Sequence, residues 1–485
     1  MPNPDQRAWG APHTLTRRGF LQAAMGTTGL VLLSACGGTP SPSPTAASKA
    51  PEAKTAAGKT TVMFSAAGDA KSELPVFQSL ANAFNSKSDK VEVQVQPFPE
   101  GGFAKALAML EAKDAPDIIR VEDDAAYFVG KSGHVADLTQ YYERDFKKID
   151  DYYSFFFQES HVEGKQFAFT ANHTPPLFFY NEDHFKEAGL TAPTKWTDAW
   201  DFPTFLAAAQ KLGKKNGEVV ERYAAYIDNW DECLPYAAGV GFFNHDQTKC
   251  TLDDPRMVDV LKTFVDLTVK QKLMVPPGEN HIELFNSGQL SMMGTIAHQA
   301  QVINPEVKWK WMPYPKFKKW AMGSGYGRTF VVPKYGPSKN PEAAWEFLKF
   351  WATEEGSTMI AKQPWGVPPN KKGSDGLLKD PRWADKNVGL WIEALDWTFP
   401  RNMTPMRFGT IRNLWQNQPK LDDLRVGKLD PETFIKSVVT EVDAEIQRLN
   451  WKHVPPPLAD KAPHDKSLYA RWYYLGADKA DDPRK

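Results

Sequence analysis

Three acidic residues follow segments that have the apolar pattern of β-strands. Asp69 comes shortly after the segment 60–65, and Asp123 and Asp124 come shortly after the segment 117–121, which has an apolar core. In open α/β sheets, ligands lie beyond the carboxyl ends of the strands, and carboxylates form short, charge-assisted hydrogen bonds with hydroxyl groups. These carboxylates are therefore candidates for binding a polyhydroxylated solute, and a solvated acidic turn is the alternative.

Tryptophan is abundant, with 16 residues in a chain of 485. Aromatic rings stack on the apolar C–H faces of sugars, so a carbohydrate site combines such rings with charged or amide groups. Trp230 follows a short predicted strand and is one candidate ring, with packing in the core as the alternative. Position in the fold must decide which of the rings face a ligand.

The first 35 residues have the form of an export signal. Residues 16–21 (Thr-Arg-Arg-Gly-Phe-Leu) have the twin-arginine pattern, and the uncharged stretch 23–33 is too short to span a bilayer. Leu33-Ser34-Ala35-Cys36 matches the lipobox of bacterial lipoproteins, in which the cysteine becomes the lipid-bearing N-terminus. We therefore expect an exported protein, anchored through lipid on Cys36 to the outer face of the cytoplasmic membrane. A secreted protein with a chance cysteine is the alternative.

The composition changes twice after the signal. Residues 36–59 are rich in Pro, Ser, Thr, Ala and Gly and cannot bury a core, which predicts a flexible tether behind the lipidated cysteine. From Thr60 onward, predicted strands alternate with amphipathic helices, at 60–65, 74–85, 91–95, 102–111 and 117–121. This alternation predicts a mainly parallel sheet covered on both faces by helices.

Charge and cysteine content limit the possible partners. The formal charge of the whole chain is −1, and loss of residues 1–35 leaves the mature form near −3, which gives no support for nucleic acid as a partner. Cys233 and Cys250 are the two cysteines after Cys36, and export places them where a disulfide could persist. A bridge and two buried thiols are both open. No cysteine or histidine spacing indicates a metal, and we predict no cofactor.

The stretch 283–369 contains five features in a distinctive order. They are a helix ending in Phe285-Asn286, a short strand at 290–294, a glycine-bearing loop and strand at 323–332, a helix at 341–351, and Gly366-Val367-Pro368. Asn340 before Pro341 predicts the start of that second helix, whose apolar residues recur at helical spacing as Ala344, Trp345, Leu348 and Trp351. This order resembles the family 1 extracellular solute-binding proteins of ABC importers.

Residues 167–169, 177–181 and 193–197 also resemble this family, so that the resemblance covers about residues 60–450. It implies an α/β fold of the periplasmic-binding-protein-like (type II) class, in which two α/β lobes are joined by a hinge that the chain crosses several times. The N-lobe would comprise 60–173 and 300–362, and the C-lobe 174–299 and 363–450. Residues 451–485 would form a C-terminal extension.

The resemblance also implies ligand contacts where the chain crosses between lobes. His173 and Thr174 lie at the first crossing, where maltose-type members carry a glutamate. His298 follows the return crossing, where many members have a tryptophan after the glycine, and this departure leaves the identity of a sugar open. Trp365 directly precedes the Gly-x-Pro segment at the last crossing and is the strongest aromatic candidate.

Two further candidates follow the glycine-bearing loop. Tyr326 and Arg328 belong to the resembling stretch, and a structural ion pair is the alternative role for Arg328. Asp69, Asp123, Asp124 and Trp230 also fall where sugar-binding members of the family place ligand contacts.

Together these features predict a monomeric receptor that captures a small-molecule solute by lobe closure and delivers it to the permease subunits of an ABC transporter. A sugar, with an oligosaccharide favoured, is the predicted solute. A polyamine, a peptide or a phosphorylated polyol is the alternative, because the fold does not fix the ligand. An extracellular glycoside hydrolase would use two carboxylates across a cleft. The sequence carries no catalytic motif such as G-x-S-x-G, and we predict no enzymatic activity.

Overall fold

The computed structural model describes most of the chain from Gly58 to Trp451. The described residues are 58–65, 73–97, 102–121, 125–159, 161–227, 234–235, 238–244, 246–316, 323–324, 326–363, 365–399 and 405–451. The predicted export signal, the lipidation site at Cys36 and nearly all of the tether and C-terminal extension lie outside these residues.

The described residues form fourteen strands, some consecutive and some separated by helices. They are β1 (Thr60–Ser65), β2 (Val91–Gln96), β3 (Ile118–Val121), β4 (His161–Val162), β5 (Lys165–Gln166), β6 (Phe169–Thr174), β7 (Pro176–Asn181), β8 (Lys214–Asn216), β9 (Val219–Ile227), β10 (Leu290–Ile296), β11 (Trp309–Met312), β12 (Gly323–Ser324), β13 (Tyr326–Val331) and β14 (Thr398–Phe399).

The helices connect these strands and cover their faces. They are α1 (Leu74–Asn85), α2 (Gly102–Glu111), α3 (Ala125–Ser132), α4 (Thr139–Asp145), α5 (Phe155–Gln158), α6 (Glu182–Glu187), α7 (Phe202–Leu212), α8 (Pro255–Val269), α9 (His281–Asn286), α10 (Pro341–Trp351), α11 (Glu354–Ala361), α12 (Asp375–Leu378), α13 (Leu390–Glu393), α14 (Gly409–Trp415), α15 (Gln418–Arg425) and α16 (Pro431–Leu449).

The first sheet has the strand order β2-β1-β3-β13-β6. β1 is parallel to β2 and β3, whereas β13 is antiparallel to both of its neighbours. On one face, Phe64, Phe77, Phe330 and Trp351 pack ring against ring, with centroids 5.2 to 6.4 Å apart. The sheet and the helices packed on it form the first lobe.

Helix α10 forms as its sequence predicts. The Asn340 side-chain oxygen accepts a hydrogen bond from the Ala343 backbone N–H at 3.1 Å, and Pro341 occupies the first turn. Ala344, Trp345, Leu348 and Trp351 are all buried against the first lobe's core. The helix is therefore fixed by its cap and by one apolar face.

The second sheet has the strand order β11-β7-β10-β9-β8. β10 is parallel to β9 and antiparallel to β7. Its core includes Phe178, Phe205 and Phe264, which come from β7, α7 and α8. We call this sheet with α7, α8 and the C-terminal helices α14 to α16 the second lobe.

The chain passes between the lobes three times, and we call these segments the passages. The first is 174–176, between β6 and β7; the second lies between Met312 of β11 and Tyr326 of β13; the third is 365–367. Trp365 packs in the first lobe's core, whereas Val367 packs in the second lobe's core.

The second passage differs from the predicted division of the chain, which assigned 300–362 to the N-lobe. β11 pairs antiparallel with β7, with Trp309 opposite Asn181 and Trp311 opposite Phe179. Both tryptophans are buried in the second lobe's core. The alternating apolar pattern of this strand identifies it as a strand but carries no information about its pairing partner, and sheet membership moves the boundary to after Met312.

The third passage requires a glycine. Val367 exchanges two backbone hydrogen bonds with His173 of β6, at 2.8 and 2.9 Å. Gly366 has φ of +143°, and a Cβ there would lie 2.6 Å from the His173 carbonyl oxygen. The backbones can therefore approach this closely only without a side chain.

In the part of the chain that the structure describes, no helix is long and apolar enough to cross a membrane.

Candidate functional site

The two sheets meet end to end at the first passage. β6 ends at Thr174 and β7 begins at Pro176, so that a single residue separates the sheets. The Ala297 backbone N–H donates to the Pro175 carbonyl oxygen at 3.0 Å, which holds the chain after β10 at the same place. One edge of the first sheet therefore lies beside one edge of the second sheet.

The carboxyl ends of several parallel strands lie at these two edges. β13 is antiparallel to both β3 and β6, so β1, β3 and β6 all end at the same edge of the first sheet. In the second sheet, β9 ends at Ile227 and β10 at Ile296, which is paired with Pro176. Ligands of open α/β sheets bind beyond such ends. The space between the two edges is thus the candidate site.

Four predicted ligand residues lie outside the described residues. Asp69 follows β1, Asp123 and Asp124 follow β3, and Trp230 follows β9. The strands that lead into them all end at the two facing edges. Their roles as ligand contacts remain predictions.

His173 is enclosed by protein at the first passage. Its side chain is 2% exposed, and its Nδ1 lies 2.5 Å from Oε1 of Glu159, whose side chain is also 2% exposed. The Phe155 ring lies 5.3 Å from the imidazole, centroid to centroid. Gly327 of β13 leaves the room that the Glu159 carboxylate occupies. The imidazole is therefore held by a buried carboxylate rather than presented on an open surface.

The polar side chains on either side of His173 tie the third passage to β6. Asn172 Nδ2 donates to the Trp365 carbonyl oxygen at 2.5 Å, and the Thr174 hydroxyl donates to the same oxygen. Both side chains are buried. This pair fixes where the chain leaves the first lobe, so the Thr174 hydroxyl has a structural partner.

Trp365 packs in the first lobe's core. It is 5% exposed, and its ring centroid lies 5.3 Å from that of Phe77. The Arg328 guanidinium carbon lies 4.4 Å from the Trp365 ring, while its Nη2 lies 2.7 Å from Oε1 of Glu73. The ion pair that was the structural alternative for Arg328 is thus present. In this conformation the tryptophan contributes packing, and its contact with a ligand remains a prediction.

His298 lies on the second lobe's side of the site, in the 3-10 helix Ala297–Val302 that follows β10. Burial, and then the positive charges of Arg328 and Arg120, together lower the pKa of this half-buried imidazole to about 4. Both arginines belong to strands of the first sheet. The electrostatic field of one lobe therefore acts on a side chain of the other, and His298 is neutral at pH 7.

The remaining predicted residues are only partly described. Tyr326 begins β13 and pairs with Thr174 in the sheet, so its backbone lies beside the first passage. The Cys250 backbone N–H donates to the Asp443 carboxylate at 2.7 Å, and burial raises the pKa of the Cys250 thiol to about 12. Cys233 lies outside the described residues, so the bridge remains a prediction. Among the residues that are described, no group of three His, Cys, Asp or Glu side chains could hold a metal ion.

Glu159 and Asn172 are site residues that the sequence analysis did not identify. Glu159 comes directly after the aromatic run Phe155-Phe156-Phe157 and Gln158. A single acidic residue beside several large apolar residues is a signal for a buried, partnered carboxylate. Asn172 lies next to the predicted pair His173 and Thr174 and offered no separate signal.

Comparison with known proteins identifies the family. The family described as bacterial extracellular solute-binding protein matches residues 79–388, more than half of the chain. This chain belongs to that family. Its family membership, predicted from the sequence, is confirmed, and as a member it is an exported protein that binds a solute.

The matches cover nearly the whole length of each similar protein. The sn-glycerol-3-phosphate-binding periplasmic protein UgpB of Pectobacterium atrosepticum is 22% identical over 429 residues, covering 80% of this chain and 94% of that protein. The ABC substrate-binding protein Lmo0181 from Listeria monocytogenes, solved with cycloalternan, is 20% identical with a TM-score of 0.67, covering 81% and 100%. UgpB from Mycobacterium tuberculosis, solved with glycerophosphocholine, is 15% identical with a TM-score of 0.65, again covering 81% and 100%.

These structural likenesses confirm the predicted fold class. The solute-binding protein has the periplasmic-binding-protein-like (type II) α/β fold, with two lobes joined by several passages. At such low identity the likenesses support the fold and leave the ligand to be argued from the site.

Proposed function

We propose that this solute-binding protein is the receptor of an ABC importer and that it captures a carbohydrate between its two lobes. The observation that carries the proposal is the meeting of two sheet edges at Pro175, with the carboxyl ends of strands from both lobes directed to one space. The relative Lmo0181 is an ABC substrate-binding protein solved with cycloalternan, which supports a carbohydrate ligand.

Capture requires no covalent chemistry. A ligand that touches both edges gains contacts when the lobes rotate together, and this difference in affinity shifts the protein to the closed arrangement. The hydrogen bonds of Asn172 and Thr174 to the Trp365 carbonyl oxygen hold two passages side by side, so that they can turn as a unit. The permease subunits of the transporter would then recognise the closed shape.

A glycerophosphate or a similar phosphorylated polyol is the second candidate. The two UgpB relatives are named for or solved with such compounds, and the charges of Arg120 and Arg328 reach His298 across the site. However, Glu73 pairs with Arg328, and the three predicted carboxylates follow strands that end at the same edge. These acidic residues disfavour an anionic ligand, and we therefore place carbohydrate first.

A screen by melting temperature tests the assignment. A ligand at 1,000 times its dissociation constant stabilises the folded protein by about 4 kcal/mol, which raises the melting temperature by roughly several degrees. The panel contains oligosaccharides, glycerophosphodiesters, polyamines and peptides. We expect an oligosaccharide to give the shift. A shift with glycerophosphocholine alone would establish the second candidate, and product formation on prolonged incubation would contradict a pure receptor.

We also propose that the receptor is monomeric and anchored to the outer face of the cytoplasmic membrane through lipid on Cys36, after export by the twin-arginine route. The sequence around Arg17, Arg18 and Cys36 supports this proposal, because two acyl chains suffice for stable attachment where one is marginal. Labelling with a fatty-acid analogue should mark the wild type and leave Cys36→Ala unmarked and released from membranes. Equal membrane retention of the unlabelled variant would contradict it.

A further inference from the structure

One aromatic contact joins the lobes away from the three passages. Phe128, on α3 of the first lobe, is 51% exposed, yet its ring lies 5.5 Å from that of Phe408, at an interplanar angle of 71°. Phe408 is 2% exposed and meets the Trp451 ring at 5.3 Å and 85°. Three rings thus run from the surface of one lobe into the other.

The two ends of this contact belong to different cores. Helix α3 buries Ala126 and Val129 in a cluster with Ile119 and Val121 of β3, and Phe128 is not part of that cluster. Phe408 packs in the second lobe's core, just before α14. The contact therefore joins the lobes through side chains alone.

The start of helix α3 also lies near the candidate site. It begins three residues after β3, whose carboxyl end lies at the facing edge of the first sheet. Phe128 is the fourth residue of this helix. A movement of the lobes that opens the space between the edges therefore separates Phe128 from Phe408, whereas the passages stay covalently joined in every arrangement.

We propose that Phe128 and Phe408 form an inter-lobe latch that favours the closed arrangement and so raises the affinity for the solute. The proposal rests on the closure mechanism of the proposed function. Edge-to-face aromatic pairs attract each other beyond the area they bury. Half of the Phe128 side chain remains exposed, so the contact is weak enough to break and reform. A contact present only when the lobes are together shifts the population toward that state before any ligand binds.

The experiment compares Phe128→Ala with Tyr335→Ala in the full-length protein. Tyr335 is a suitable control because it is an aromatic of the first lobe that is 45% exposed, and its ring contacts, with His134 and Lys113, lie within that lobe. Small-angle scattering without ligand should give a larger radius of gyration for Phe128→Ala than for the wild type or Tyr335→Ala. At saturating ligand the three proteins should give the same profile.

Binding of the solute found by the melting screen provides the second measurement. We expect Phe128→Ala to raise the dissociation constant about two- to tenfold, mostly through faster dissociation. Phe128→Trp keeps an aromatic ring at this position and should have a dissociation constant close to that of the wild type. Unchanged scattering and unchanged affinity in Phe128→Ala would overturn the latch, as would equal changes in Tyr335→Ala. The scattering comparison needs no ligand, so it remains decisive even if the carbohydrate assignment fails.

Discussion

The passages and the loops beyond the sheet edges use polar residues differently. At the passages, Glu159, Asn172 and Thr174 are buried and bonded to protein partners. Glu159 contacts His173 of β6, and the other two side chains hold β6 against the third passage. Beyond β1, β3 and β9, the sequence places acidic and aromatic residues at chain segments that follow the facing edges. We propose from this difference that polar residues of the passages set the geometry of the lobes, and that the loops supply most of the ligand contacts.

The largest expected effect separates two tryptophans that the sequence analysis names as candidate ligand contacts, Trp365 and Trp230. Trp365→Ala should lower the free energy of unfolding by about 3 to 5 kcal/mol, because it empties the space beside Phe77 and Arg328. Trp230→Ala should leave unliganded stability nearly unchanged and weaken binding by about 1 to 3 kcal/mol, if its ring stacks on the ligand.

Chemical denaturation of both variants, followed by titration with the solute, measures the two quantities separately. If Trp365→Ala keeps its stability and loses affinity, the ring is a ligand contact despite its burial. If Trp230→Ala loses several kcal/mol of stability, that residue belongs to the core.

Local features of the fold could be predicted from the sequence because they depend on neighbouring residues. The cap at Asn340 and the apolar face of α10 are set within about a dozen residues, and both were predicted. The partner of β11 could not be predicted, because Trp309 and Trp311 would be buried equally well on either sheet. The contacts of His173 could not be predicted either, because they depend on a bulge near Gly327 and on the carboxylate of Glu159, the residue that follows α5.

A smaller effect is expected at the buried pair of the first passage. Glu159→Gln keeps the shape of the side chain but replaces the carboxyl group that contacts His173 with an amide, so it should lower the free energy of unfolding by about 1 to 3 kcal/mol. Glu355→Gln is the matched control, because Glu355 pairs with Lys87 on the surface, where both side chains are about half exposed. That control should change stability by less than about 1 kcal/mol.

Urea denaturation at pH 7 measures both variants. A loss in Glu159→Gln no greater than in Glu355→Gln would mean that the buried pair does not hold the passage. A loss confined to ligand affinity would instead favour the predicted ligand role of His173.

The smallest effect is the pH dependence of closure, which is expected to depend on His298. In the structure, burial and then the charges of Arg328 and Arg120 hold the pKa of His298 at about 4. Separation of the lobes removes part of the burial and moves both arginines away, so the pKa should rise toward the ordinary value of about 6.5. Between these two values the open form binds more protons than the closed form, and acid therefore favours opening.

Affinity should be constant above about pH 7 and fall as pH decreases from about 6.5 toward 4, by roughly three- to tenfold at pH 5. His298→Gln should flatten this slope whatever it does to affinity at pH 7, and calorimetric titration at pH 7 and pH 5 compares the two proteins. Parallel pH profiles would show that the pKa of His298 does not change with closure and that its low value arises within the second lobe alone.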